Sequence, residues 1–387
     1  MLKETVLMKN MTIINCDERT EFCDIYIENG KISEIGQSLK KEATRIIDGK
    51  EQSLFLLPGY IDIHIHGANG FDTMDSSQQA IEEIAKHLVK EGVTSFLATT
   101  MTQSDKNIEA ALENLKNYED RFEGAQLLGA HVEGPFVSVK RAGAQPVEFM
   151  QAPSISHLKH WYALSDGLIK IMTLAPELEN GLAFVAALRK LHIIASMGHT
   201  DATMEEVQAA IEAGVTQATH LYNQMRPFHH REPGVVGAAL QDDQITVELI
   251  VDLIHSHKNA VNLAYKVKGA KGIILITDAM RAKGLSPGKY ELGGQAVHVT
   301  HNGARLEDGT LAGSVLTMEQ AVKNMKAITN CSLEEIVAMS SSNAARQLQA
   351  TTKGRVAIGY DADLVLVDSQ LTVQKTIRNG KIVYEKP

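Results

Sequence analysis

The chain has 387 residues, 44% hydrophobic and 22% charged, which suits a globular protein with a sizeable core, either one barrel of about 250 residues plus a smaller module or two ordinary domains. A formal net charge of −9 excludes a general nucleic-acid binder, and any anionic ligand must be held by a local cationic pocket. Three scattered cysteines, Cys16, Cys23 and Cys331, exclude a disulfide framework and suit reduced thiols in the cytoplasm.

The N-terminal MLKETVLMKNMTIIN breaks its apolar residues with charges, unlike a signal-peptide core. No run in the chain approaches the roughly 18 apolar residues of a membrane helix. Residues 5–57 carry short alternating segments, TVLMKNMTII and CDIYIENGKISEIG, with a hairpin signal at Asn29 and Gly30. From residue 60 to 278, β-branched apolar runs alternate with helix-forming segments. Strands are expected at Tyr60–Ile65, Val93–Thr99, Leu127–Glu133, Leu168–Leu174, His192–Gly198, Val215–His220, Ile245–Asp252 and Gly272–Asp278. Between them, SSQQAIEEIAKHLVKEG, SDKNIEAALENLKNYED, ENGLAFVAALRKL and DATMEEVQAAIEAG have helical spacing, with Ser or Asp near the starts of three of them.

Residues 281–313 read as an inserted β-hairpin and loop, and SLEEIVAMSSSNAARQ as a helix with Ser332 and Glu335 in capping-box spacing. Residues 354–386 return to alternating strands, GRVAIGYDADLVLVD and TIRNGKIVY, with a second hairpin signal at Asn379 and Gly380. The expectation is an α/β protein: a (β/α)8 TIM-like barrel over residues 58–352, with a small discontinuous β-sandwich built from both chain ends, 1–57 and 353–387.

In such a barrel the active site lies at the C-terminal ends of the strands. His64 and His66 end the first expected strand and Glu133 the third. His199 follows the fifth, His220 ends the sixth, His255 follows the seventh and Asp278 ends the eighth. His-X-His on a strand places both imidazoles on one face, because side chains repeat every two residues. One such pair is often plain packing, and Glu133, His199, His220 or Asp278 alone would be an ordinary polar residue at a strand end. Together, these imidazoles and carboxylates on one rim would be costly without a cation. His131 points the same way as Glu133 one layer lower, either supporting a ligand or simply packed.

With these residues assembled, the chain resembles the amidohydrolase superfamily and, within it, the N-acetylglucosamine-6-phosphate deacetylases. The resemblance spans essentially the whole length. It rests on PGYIDIHIHG at 58–67, HVEGPF at 131–136, GHTDA at 198–202, HLYNQM at 220–225, REPG at 231–234, TDAM at 277–280, LAGS at 311–314 and GYDADLVLVD at 359–368. It implies metal-dependent hydrolysis of the acetamide of N-acetyl-D-glucosamine 6-phosphate to D-glucosamine 6-phosphate and acetate.

The resemblance also implies two divalent transition metals per chain: one held by His64, His66 and Asp278, the other by His199 and His220, with Glu133 bridging. The donors suit Zn, Fe, Mn or Co. Asp278 would take the proton of the attacking water and deliver it to the departing amine. Asn223, Gln224 and His255 would hold the sugar phosphate, Arg231 would supply its bidentate charge, and Leu311, Ala312 and Gly313 would close over the ring. Ala144 and Gln145 would line the acetamide side, where some relatives have a His in place of Gln145 that helps to polarise the carbonyl. A homodimer is implied, with Arg231 reaching the neighbouring subunit's site; neither nucleic acid nor membrane is an expected partner.

Two other readings stay open. Another amidohydrolase would act on N-acetylgalactosamine 6-phosphate, a cyclic amide or a nucleobase; many of these bridge their metals with a carboxylated lysine, where this chain has Glu133. A non-catalytic scaffold would have lost ligands, and this chain keeps them all.

Overall fold

Capped amphipathic segments alternating with apolar runs fold into eight parallel strands. In the computed structural model, which describes residues 5–49, 54–121 and 123–387, these are Tyr60–Ile65, Val93–Thr100, Gln126–Glu133, Ile169–Leu174, Ile194–Met197, Val215–Ala218, Thr246–Ile250 and Ile273–Ile276. They pair in sequence order. The first, second and eighth are buried at every position, as strands covered on both faces must be. The sheet closes between its first and last strands: Asp278 N–H donates to His64 O at 2.8 Å and His66 N–H to Ala279 O at 2.9 Å. Beneath that seam the Asp62 carboxylate accepts from the Thr277 hydroxyl at 2.6 Å.

Most of the surrounding helices start where the sequence supplies caps. Ser77 and Ser104 each accept a first-turn N–H, while Thr203 with Glu206 and Ser332 with Glu335 form complete capping boxes. The helix Gln78–Leu88 buries Ile81, Ile84, Ala85 and Leu88 in the main core. Each large side chain there contributes about 1.5–3 kcal/mol. The helix after Ser332 is continuous but widens into a π turn at Ala338–Ser342, where Ser341 Oγ donates to Gly59 O.

Strands from both chain ends meet in one small sheet: Thr5–Ile14, Arg19–Glu28, Lys31–Gly36, Arg45–Asp48, Phe55–Pro58, Leu364–Val367, Val373–Arg378 and Lys381–Glu385. Phe55–Pro58 pairs antiparallel with Leu364–Val367, and this ladder joins the two ends. Its core includes Val6, Met8, Ile25, Leu56, Leu364 and Ile377. Both expected hairpins form, with positive φ at Asn29 (53°), Gly30 (76°), Asn379 (47°) and Gly380 (77°), as a type I′ turn demands. Residues 1–4 and 50–53 of the expected module lie outside the described residues.

The insertion after the eighth strand is larger than a hairpin. Gly288–Leu292, Gln295–Thr300 and Gly303–Arg305 form a three-stranded antiparallel sheet. Its Leu292, Val297 and Val299 pack with Met101, Ala144 and Met280 at the barrel mouth. Among the described residues no helix is long and apolar enough to cross a membrane.

Candidate active site

His64 lies in the first strand and His66 is the residue just past its end; both turn their Nε2 toward Asp278, and Glu133 is the last residue of the third strand. The sequence places His220 and Asp278 at the ends of their strands. The structure corrects this: the sixth strand stops at Ala218 and the eighth at Ile276, so both residues lie two positions beyond. The cause is conformational. His199, His220 and Asp278 have φ of 48°, 31° and 49°, left-handed values incompatible with a ladder and uncommon outside glycine. Such conformations persist only where neighbours over-determine them. Asp278 is held by N–H donation to His64 O and by Ser314 N–H donating to its carbonyl at 2.7 Å. A Cβ added to Gly313 would lie 3.2 Å from that same Asp278 carbonyl, where φ is already +61°.

The six side chains are all buried. His199 Nε2 and His220 Nε2 lie 3.2 Å apart and 3.3 and 3.1 Å from Glu133 Oε1. His66 Nε2 lies 3.3 Å from both Glu133 Oε2 and Asp278 Oδ1. His64 Nε2 lies 3.5 Å from Asp278 Oδ1 and 3.6 Å from Glu133 Oε1. Donors sharing one cation at about 2.0–2.2 Å sit about 3.0–3.5 Å from each other, so these spacings fit a metal. Glu133 belongs to two such groups, with His64 and His66 and with His199 and His220.

Tautomers agree with that fit. His199 Nδ1–H donates to Arg141 O at 2.9 Å, and His64 Nδ1–H to Glu248 Oε2 at 2.9 Å. Both Nε2 atoms are therefore left with a lone pair facing the carboxylates, and His64 Nε2 has no hydrogen-bond partner among the described residues. Without a cation, protons take its place. Burial opposes the charged form of His64, but Asp278, Glu248 and Glu133 outweigh it and push its pKa up to about 9. Burial likewise raises Asp278, and His64 and His66 override it, holding Asp278 down to about 2. His131, one layer below, is pushed down to about 4 by burial and by His64. It stays neutral, donating to Ile63 O and accepting from Thr173 Oγ1.

A cavity of about 320 Å³ opens above these groups, and most of the expected substrate residues line it: Ala144, Gln145, Asn223, Gln224, His255, Leu311 and Gly313. Their hydrogen bonds refine the expectations. Gln145 Nε2 donates to Glu133 Oε2 at 2.7 Å and its Oε1 accepts from Thr102 N–H at 2.9 Å, so both ends are engaged. Asn223 N–H is taken by His220 O at 3.0 Å. His255 Nδ1–H donates to Asp252 Oδ2 at 2.7 Å, which leaves Nε2 free to face a ligand. Ala312 is buried behind the wall, its N–H on Ala304 O. Arg231 is exposed outside the cavity, beside His230 Nε2 at 3.0 Å.

Residues 55–383 match the amidohydrolase family. The chain belongs to this family. Amidohydrolases are metal-dependent, in keeping with the buried His and Glu groups found here. This amidohydrolase is 52% identical over 379 residues to the N-acetylglucosamine-6-phosphate deacetylase of Lysinibacillus sphaericus, covering 98% of this chain and 97% of that one. The structure of N-acetylglucosamine-6-phosphate deacetylase from Thermotoga maritima superposes with a TM-score of 0.88 at 37% identity, covering 98% and 100% of the two chains. A variant of the Mycobacterium smegmatis N-acetyl-D-glucosamine-6-phosphate deacetylase, in complex with N-acetyl-D-glucosamine-6-phosphate, superposes at 0.90 with 29% identity, covering 98% and 99%.

Two residues of this amidohydrolase escape sequence reasoning. Glu248, an acid inside the apolar run TVELI, touches His64. Arg305, in the insertion, lines the cavity beside Leu311.

Proposed function

We propose that the chain hydrolyses the acetamide of N-acetyl-D-glucosamine 6-phosphate to D-glucosamine 6-phosphate and acetate, serving amino-sugar catabolism and cell-wall sugar recycling in the cytoplasm. The observation that carries this is Glu133, shared by a His64/His66 pair and a His199/His220 pair on the floor of a cavity of about 320 Å³. Two divalent transition metals per chain, Zn, Fe, Mn or Co, would be held by His64, His66 and Asp278 and by His199 and His220, with Glu133 between them. Such ions supply Lewis acidity and lower the pKa of water to about 7.

The chain's own groups do the rest. Asp278, lining the cavity beside His64 and His66, takes a proton from the water that attacks the acetyl carbon. As the C–N bond breaks it delivers that proton to the nitrogen, so the amine leaves neutral rather than as an anion. Gln145 fixes Glu133 through its amide N–H. Across the cavity His255, oriented by Asp252, and Arg305 give the phosphate its contacts within the chain, with Asn223 and Gln224 beside it. Leu311 and Gly313 border the sugar ring. Arg231 adds its charge across a homodimer interface. The module built from residues 1–57 and 353–387 acts as one unit bordering the barrel of residues 58–352.

The test is acetate release from a panel of N-acetyl sugars, gluco and galacto epimers with and without the 6-phosphate, alongside metal analysis. Preferred turnover of the phosphorylated gluco sugar is expected; equal turnover of phosphorylated and unphosphorylated sugars would overturn the reading.

A further inference from the structure

Glu248 lies mid-strand in Thr246–Ile250 and is fully buried. A buried carboxylate is costly unless its oxygens are satisfied and its charge is met. Its oxygens are satisfied: Oε1 accepts from Gln217 Nε2 at 2.7 Å, while Oε2 accepts from His64 Nδ1 at 2.9 Å and from His220 N–H at 3.2 Å. Its charge is not met by a permanent cation among these partners, since all three are donors without fixed charge. Two cations just beyond His64 and His220 would meet it.

We infer that Glu248 is a positioning residue that holds the two halves of the metal centre in register through His64 and His220. The inference rests on the two-ion reading above. One oxygen serves both halves. At His64 it fixes the proton on Nδ1, so the Nε2 lone pair faces Glu133 and Asp278. Without an acceptor there, the ring could place its proton on Nε2, toward the ion. An ionised acceptor also makes the imidazole a more basic ligand than a neutral one would. At His220 the same oxygen holds the main-chain N–H of a residue with a φ of 31°, which fixes the turn that aims the ring at Glu133.

Metal-stripped wild type, E248Q and E248L are titrated with cobalt(II) chloride, following the d–d absorption band and the heat of binding, so that stepwise affinities are read without any activity assay. E248Q keeps one oxygen acceptor and loses the charge; about 10-fold weaker uptake at the His64 position is expected, approaching 100-fold for E248L, the range for such supporting partners. E248Q differs from wild type by one atom, so it carries the test even if E248L misfolds. A purely structural Glu248 would lower the melting temperature of the metal-free protein and leave both affinities unchanged. Equal affinities in E248Q and wild type therefore overturn the role of Glu248 while the two-ion reading stands. A wild type that takes up a single cobalt ion overturns both.

Discussion

The main-chain N–H of Asp278 donates to the main-chain oxygen of His64 at 2.8 Å, so the barrel closes where these two side chains enter the site. The link uses no side-chain atom. Changing His64 and His66 together to Asn therefore removes two imidazoles and leaves the closure in place. Metal content is expected to fall from about two ions per chain to about one, retained by Glu133, His199 and His220. Elemental analysis after reloading checks this, and two ions remaining in the double variant would overturn the assignment of the first position.

Asp278→Asn keeps the same main-chain bonds and removes the carboxylate proposed to move the proton. A loss of about 10²–10⁴ in kcat is expected, with little change in KM, as for removal of a general acid–base group. The measurement is steady-state acetate release with metal content determined on the same sample. Near-normal kcat at full metal content would leave Asp278 no proton role.

How far these assignments can be reached from sequence depends on the backbone at each residue. His64, His66 and Glu133 obey the two-residue repeat of a strand, so the pattern alone sets their common face. His199, His220 and Asp278 are found by residue type and by their place after a strand, but their positive φ values have no counterpart in apolar periodicity, and the strand ends are misplaced there. Glu248 is passed over because a single acid in an apolar strand carries no spacing signal; its meaning comes from His64, which lies 184 residues away. Arg305 is hidden for a different reason. The insertion's short strands show only that a hairpin forms, and which side chains turn toward the cavity depends on how that sheet docks on Met101 and Ala144. The barrel itself is readable because most of its elements agree locally with their final state in patterning and in caps.

Protons and metal compete for the same nitrogens, which gives a pH dependence of definite sign. In the metal-free protein His64 is raised from 6.5 to about 9, opposed by burial and driven by Asp278, Glu248 and Glu133. A histidine raised on folding contributes stability that is complete below its unfolded pKa of about 6.5 and lost as pH rises through about 9. Metal binding must expel that proton, so affinity strengthens over the same interval. The gap between the melting temperatures of metal-loaded and chelator-treated protein is therefore expected to widen from pH 6.5 to 9. A gap that narrows would show that His64 is not protonated in the metal-free site.

Arg231 stands exposed in a loop with Phe228, His229 and His230, outside the cavity of its own chain. For an acidic protein, a cation supplied by a neighbour places positive charge only where the anion binds. A two-fold dimer makes the exchange reciprocal, each chain completing the other's pocket. Arg231→Ala is then expected to raise KM for the phosphorylated sugar and to leave the weak activity on the unphosphorylated sugar nearly unchanged, since losing a charged partner costs about 2–5 kcal/mol. Complementation separates this from an Arg231 that serves its own chain. Asp278→Asn and Arg231→Ala chains, each impaired alone, are unfolded and refolded as an equal mixture. In a mixed dimer with exchange, one site has the intact Asp278 of the Arg231→Ala chain and the intact Arg231 of the Asp278→Asn chain, and the other site has both defects. Random pairing makes about half of the dimers mixed, so activity is expected to recover to about a quarter of wild type. If Arg231 serves its own chain, every site in a mixed dimer keeps one defect, and the mixture performs no better than the average of its parents. With mixed dimers demonstrated by differential tagging, that second result would overturn the shared site.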